Sequence, residues 1–174
     1  GKMETCMYAG GHKNEDGSMT GWRELDSLEE ALRKNYFALK QDTEILGEHV
    51  IRLTVTEGLA RTMSRRGIRS DTIDWFLPHY SSEYFREHVY AAMAAFGLEV
   101  PDGKWFTNLA DKGNTGSASI YVILEELFHS GRLKPGQRIL CYIPESGRFS
   151  VATWACSRSR PSRSAVGAGG QPCT

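Results

Sequence analysis

No run of apolar residues in this 174-residue chain approaches the length that crosses a bilayer, and no signal peptide opens it, so neither a membrane-spanning nor a secreted protein is expected. Cysteine is sparse. Cys6, Cys141, Cys156 and Cys173 are scattered without zinc-ligand spacing and without the density of a disulfide framework, which fits a reducing cytoplasm. Net charge is absent too, because 21 Lys and Arg balance 21 Asp and Glu, so a generic polyanion binder is not indicated and neither nucleic acid nor membrane is expected as a partner. The five histidines, His12, His49, His79, His88 and His129, form no H-E-x-x-H pattern, and no metal or other cofactor is expected. There is no G-x-S-x-G of a serine hydrolase, and Gly113-Asn114-Thr115-Gly116-Ser117 lacks the Gly-Lys-Ser/Thr ending of a phosphate-binding loop. What remains is ordinary globular material, 40% hydrophobic and 24% charged, enough for one domain or two small ones.

Three stretches differ in kind. Residues 1–41 read as a lead-in: a strand near Met7-Tyr8-Ala9, an exposed turn-rich loop from Gly10 to Gly17, and a short helix opened by the capping-box pattern Ser27-Leu28-Glu29-Glu30. Residues 42–155 read as the main domain. A long helix spans about Asp42 to Arg66, with Ile51, Val55, Leu59 and Met63 on one stripe that also carries Gly58, and Gly67 stops it. Ile73–His79 reads as a buried strand, Glu83–Phe96 as a helix facing inward through Phe85, Val89, Ala92, Met93 and Phe96, and Trp105–Leu109 as a second strand. Ser117–Ser130 is a further helix, with Ile120, Ile123, Leu124, Leu127 and Phe128 inward. Arg138–Ile143 and Arg148–Trp154 then pair as strands. The order βαβαββ predicts an α/β fold with a mixed sheet, helix crossovers and one antiparallel edge. Residues 156–174 mix Ser, Arg, Gly and Pro without apolar periodicity and read as a disordered tail; Arg158, Arg160 and Arg163 give only slight support to a basic arm.

In sheets of this kind ligands bind beyond the carboxyl ends of the strands. Two polar residues fall there: His79, directly after an apolar strand, and Asn114, in a glycine-flanked loop before a helix, among the small residues Gly113, Gly116, Ser117 and Ala118. Each also has a plain structural reading, His79 as a satisfied half-core histidine and Asn114 as turn chemistry. His49 and Arg52 read as solvated helix residues.

Three motifs in order carry a family resemblance: Ile73-Asp74-Trp75-Phe76-Leu77-Pro78-His79, Gly113-Asn114-Thr115-Gly116-Ser117-Ala118-Ser119-Ile120, and Gly131-Arg132-Leu133-Lys134-Pro135-Gly136-Gln137. From about Asp42 to Trp154 the chain resembles the C-terminal half of a β-ketoacyl-acyl-carrier-protein synthase III-like condensing enzyme of thiolase-like fold. The resemblance implies an acyltransferase that joins an acyl thioester to a malonyl-type thioester with loss of CO2, in fatty acid or polyketide biosynthesis. The carrier would be coenzyme A or an acyl carrier protein, the setting cytoplasmic, and the assembly a homo- or hetero-dimer. The family's catalytic set is Cys, His and Asn, of which the last two map onto His79 and Asn114. Gly147 resembles the glycine whose backbone N–H binds an oxyanion, and reads equally as a hairpin glycine.

Three departures accompany the likeness. The nucleophilic cysteine of the family lies in an N-terminal half, and none of the four cysteines here occupies its context; Cys141, inside an apolar strand, reads as inert. The family's His-Gln-Ala-Asn reads His79-Tyr80-Ser81-Ser82, so Ser82 stands where a side-chain amide near the substrate channel is usual. An apolar closing strand gives way to Cys156-Ser157-Arg158-Ser159-Arg160. Gly1 in place of a Met favours a truncated or processed product. Two readings follow: a catalytic C-terminal half needing a cysteine from an N-terminal half or partner subunit, with the isolated chain inactive, or a non-catalytic thiolase-fold partner acting in dimerisation or carrier binding.

Overall fold

The computed structural model describes residues 6–147 and 149–157. Two compact units divide them. One comprises the chain up to Val50 together with Glu145–Ser150, the other Ile51–Pro144 with the chain from Val151.

In the first unit the strands are short. β1 (Met7–Tyr8) pairs antiparallel with β4 (Lys40–Gln41), and β2 (Gly11–Lys13) with β3 (Met19–Gly21). Helix α1 (Leu28–Arg33) begins where the capping pattern predicts, with the Ser27 hydroxyl accepting the Glu30 N–H at 3.1 Å. Lys13 bridges to Asp42 at 2.5 Å, and this ion pair holds the Asp42 carboxyl below its ordinary range. Helix α2 (Thr43–Ile51) follows, its first turn capped by Asp42 Oδ1 accepting from the Ile45 N–H.

The second unit starts with a π-helical segment, Arg52–Leu59, that runs on into α3 (Ala60–Arg66) and ends at Gly67, whose φ of 59° is the left-handed cap glycine favours. Val55, Leu59 and Met63 of the expected stripe are buried. Gly58 is there for space: a Cβ on it would lie 2.3 Å from Val151 Cγ1 and 3.1 Å from the Leu53 carbonyl oxygen.

The sheet of this unit has the order β5 (Trp75–Pro78), β6 (Arg138–Glu145), β7 (Ser150–Ser157), with β5 and β6 parallel and Phe76 opposite Leu140. β5 is buried at every position, as a strand covered on both faces must be. Trp75, Leu77, Ile139 and Cys141 pack with Ile120, Ile123 and Leu127 of α6 (Ser119–His129) and with Leu133. From the alternate positions, Phe76 stacks on Tyr142 and meets Trp105 edge to face, and the buried Thr54 and Tyr142 hydroxyls lie 2.6 Å apart. Helix α4 (Phe85–Ala95) buries Phe85, Val89 and Met93.

Four expectations change in detail. Trp105–Leu109 is not a full strand: a parallel bridge joins Phe76 to Trp105, and the chain then turns into α5 (Leu109–Lys112). The cause is Asn108, buried, whose carbonyl accepts the Asp111 and Lys112 N–H groups and whose amide donates to Glu126 at 2.6 Å. Phe128 is exposed, not inward. Cys156 and Ser157 belong to β7, so the last strand outruns Trp154. The helix expected from Ser117 is preceded by a 3-10 turn, Gly116–Ala118, before α6 proper. The remainder of the expected tail lies outside the described residues.

Candidate active site

His79 leaves the sheet directly after β5, its N–H donating to the Tyr142 carbonyl at 2.8 Å, so the strand pairing of β5 with β6 extends to fix its backbone. The ring is half-buried, and no hydrogen bond to a described residue engages it. Burial holds its pKa below the ordinary histidine value, which keeps the imidazole neutral near pH 7, with one ring N–H to donate.

Asn114 is exposed, between Gly113, which ends α5 with φ 72°, and Gly116 at φ 63°. Its Oδ1 accepts the Gly116 N–H at 2.9 Å. This bond has a chemical consequence. With the oxygen turned back onto the loop, the two N–H donors of the amide face away from it. Thr115 is in turn held by the buried Ser119, whose hydroxyl accepts the Thr115 N–H at 3.0 Å and lies 3.0 Å from the Thr115 hydroxyl. His79 follows β5 directly, Asn114 follows α5 after the segment bridged to β5 at Trp105, and no hydrogen bond joins the two among the described residues.

Ser82 is exposed and begins the turn into α4: its hydroxyl accepts the Tyr84 N–H at 3.2 Å and its carbonyl the Phe85 N–H at 3.0 Å. Between it and His79, Tyr80 is buried, its hydroxyl 3.4 Å from Arg86, and Arg86 pairs with Asp102 and lies over the Trp105 ring at 5.1 Å. Gly147 belongs to the first unit, where its N–H donates to the Glu145 carboxylate at 2.6 Å.

The Cys6 and Cys141 thiols are poor nucleophiles. Cys141 is fully buried with its pKa pushed up to about 12 by desolvation, and Cys6, also fully buried, is raised by burial and then by the Asp42 charge. Cys156 is half-buried on β7 against the core, and Cys173 lies outside the described residues. Among the described residues no group of three His, Cys, Asp or Glu side chains is arranged to hold a metal ion, and no helix is long and apolar enough to cross a membrane.

Sequence reasoning did not single out Ser119, which holds Thr115 beside Asn114, nor Asn108 and Glu126, whose contact fixes the start of α5. A serine in the first turn of an apolar helix four residues after Thr115 was the available signal for the first; the Asn108–Glu126 contact spans 18 residues and left none.

The fold is that of thiolase-like condensing enzymes. β-Ketoacyl-[acyl carrier protein] synthase III (FabH) of Thermus thermophilus superimposes with a TM-score of 0.60 at 22% identity, over 89% of this chain and 41% of that one. A single-residue variant of OleA from Xanthomonas campestris is 29% identical with a TM-score of 0.55, over 67% of this chain and 32% of that one. In sequence, β-ketoacyl-[acyl-carrier-protein] synthase III of Deinococcus deserti is 32% identical over 107 residues, 60% of this chain and 29% of the relative. The chloroplastic β-ketoacyl-[acyl-carrier-protein] synthase III of Arabidopsis thaliana is 31% identical over 117 residues, 66% of this chain and 27% of the relative. Residues 63–144 match the family described as 3-oxoacyl-[acyl-carrier-protein] synthase III C terminal. The matched stretch spans less than a third of either of these relatives' length.

Proposed function

We propose that this chain is the C-terminal portion of a ketosynthase III-like acyltransferase carrying out decarboxylative Claisen condensation, with His79 and Asn114 as the donors that stabilise the extender enolate. The observation that supports it best is the Asn114 amide, whose oxygen is taken by Gly116 N–H and whose N–H donors are left outward, together with a neutral, half-buried His79 ring. A malonyl thioester that loses CO2 leaves two electrons in an enolate, whose oxygen is stabilised by N–H donors already in place. Its carbon attacks an acyl thioester held on a cysteine, the C–S bond breaks, and the thiolate leaves. Neither donor can hold the acyl group, and Cys6 and Cys141 are sealed in the core. On this reading the nucleophile comes from an N-terminal half or a partner subunit. Ser82 is proposed to contact the extender, and Gly147 to bind an oxyanion once its N–H is released from the Glu145 carboxylate. Substrates would be acyl and malonyl thioesters of coenzyme A or an acyl carrier protein.

The missing nucleophile also favours a second reading, a non-catalytic thiolase-fold partner acting in dimerisation or carrier binding. Mass spectrometry of protein and products after incubation with both thioesters separates them. The chain alone should give no ketoacyl product, and the chain supplied with a cysteine-bearing N-terminal half of the family should give it. Absence of product from a folded, associated pair supports the second reading, and product from the chain alone, with Cys6 or Cys141 acylated, contradicts both.

A further inference from the structure

Among the described residues of the second unit the buried polar ones are few, Thr54, Asn108 and Ser119. Thr54 pairs with Tyr142 inside the core and Asn108 with Glu126. Ser119 differs from both, because its hydroxyl is spent on the residue next to Asn114. We propose that Ser119 is a positioning residue for Asn114: it fixes the Thr115 backbone and thereby the direction in which the Asn114 amide presents its N–H groups. The inference rests on Asn114 being the enolate donor.

The geometry carries it in three links. Ser119 is 5% exposed, in the first turn of α6, an apolar helix whose Ile120, Ile123 and Leu127 are clamped against β5 and β6, so its hydroxyl is a fixed point. That oxygen accepts the Thr115 N–H at 3.0 Å and pairs with the Thr115 hydroxyl at 3.0 Å, which ties down both the backbone and the side chain of one residue. Thr115 lies between Asn114 and Gly116, the two ends of the 2.9 Å bond that orients the amide. Without the Ser119 tether, a loop flanked by Gly113 and Gly116 has two glycines about which to pivot, and the amide loses its fixed direction. The arrangement also explains how an exposed asparagine can be held still: its own contacts are confined to the loop, and the anchoring is done one residue away by a buried group.

The test is made on the chain as it is, by NMR, with no chemistry required. Ser119→Ala removes one oxygen and keeps a good helix former, so the packing of α6 on the sheet is retained. The amide hydrogens of Thr115 and Gly116 should exchange roughly three- to tenfold faster, the fold-change expected for loss of a typical hydrogen bond. The Asn114 side-chain NH2 should gain amplitude on the picosecond to nanosecond scale, seen as a lower order parameter. The His79 amide, bonded to the Tyr142 carbonyl and so held by the β5–β6 pairing, serves as the reference and should not change. Ser119→Thr retains the hydroxyl and should restore the Asn114 signal. Thr115→Val, an exposed change that removes the hydroxyl pair alone, should move the same signals in the same direction by less. An unchanged Asn114 amide in Ser119→Ala and Thr115→Val overturns the proposal, and so does faster exchange spread equally over His79 and the β5–β6 amides, which marks a purely structural serine. Because these readouts involve no substrate, their failure is separate from failure of the condensation itself.

Discussion

A methyl group placed on Gly58 tests whether the π-helical segment and the last strand meet in direct contact. Alanine at this position puts its Cβ 2.3 Å from Val151 Cγ1, where carbon atoms settle at about 3.5–4.0 Å, so the strand or the helix must retreat by more than about 1 Å. Valine has one stiff side-chain torsion and cannot swing Cγ1 away cheaply. The second neighbour, the Leu53 carbonyl at 3.1 Å, is backbone and yields only with the helix itself. Overpacking of this kind costs about 1–3 kcal/mol, and the better helix propensity of alanine returns about 1 kcal/mol, leaving a net loss of up to about 2 kcal/mol. In a chain of this size that lowers Tm by up to roughly 8 °C. Thermal and urea melts of Gly58→Ala, Val151→Ala and the double variant form a cycle. The pair should couple, with the double variant more stable than the sum of the two losses by about 1 kcal/mol, because Val151→Ala removes the colliding methyl. The reasoning is refuted if Gly58→Ala alone raises the melting temperature, which is what helix propensity without a neighbouring strand would do.

Two further outcomes follow from burial. His79, held below its ordinary pKa, contributes stability that is complete above about pH 6.5, where the unfolded histidine is also neutral, and is lost as pH falls and the unfolded chain takes the proton first. The urea midpoint should therefore drop more between about pH 7.5 and about pH 5.5 for the natural chain than for His79→Gln; identical drops would place the ring in water. Cys141, with its pKa pushed up to about 12, should resist iodoacetamide near pH 8 in the folded chain and react once urea unfolds it, read by peptide mass spectrometry. Alkylation in the folded state would mean that β6 is not sealed.

Much of the second unit was legible because its elements are extreme. Trp75–Pro78 is apolar without a break, α4 and α6 carry apolar residues at helical spacing, and Gly67 and Gly97 close helices where a left-handed residue is needed. What was misread shares a cause, a local pattern overruled by a distant partner. Trp105-Phe106-Thr107 has the aromatic and β-branched character of a strand, yet Asn108, tied to Glu126, turns the chain into α5 after a single bridge. Cys156 and Ser157 look like the beginning of a Ser-Arg tail, but they continue β7, a largely exposed edge strand that needs no apolar alternation. The π-helical Arg52–Leu59 had a signal that went unused. A stripe that repeats every four residues, Ile51, Val55, Leu59, drifts around a 3.6-residue turn and stays straighter on a wider one. At the candidate site, His79 was legible as the residue directly after a buried strand and Asn114 as a glycine-flanked loop residue before a helix, whereas the direction of the Asn114 amide and its support by Ser119 depend on which loop atoms meet, and no spacing rule encodes that.

The central claim is that His79 and Asn114 act on the extender and not on the acyl group. Its most direct measurement uses the chain paired with a cysteine-bearing N-terminal half, with radiolabelled acyl transfer to the cysteine and CO2 release from the malonyl thioester assayed separately. For Asn114→Ala, and likewise for His79→Ala, CO2 release and condensation should fall roughly 10²–10³-fold, the scale of losing one donor to an oxyanion, while acylation of the cysteine stays near the natural rate. Ser82→Asn, the contrast, should alter KM for the extender and leave the chemical step alone. Equal losses in acylation and CO2 release for Asn114→Ala would contradict the claim, because they would show Asn114 supporting the fold or the cysteine and not the enolate.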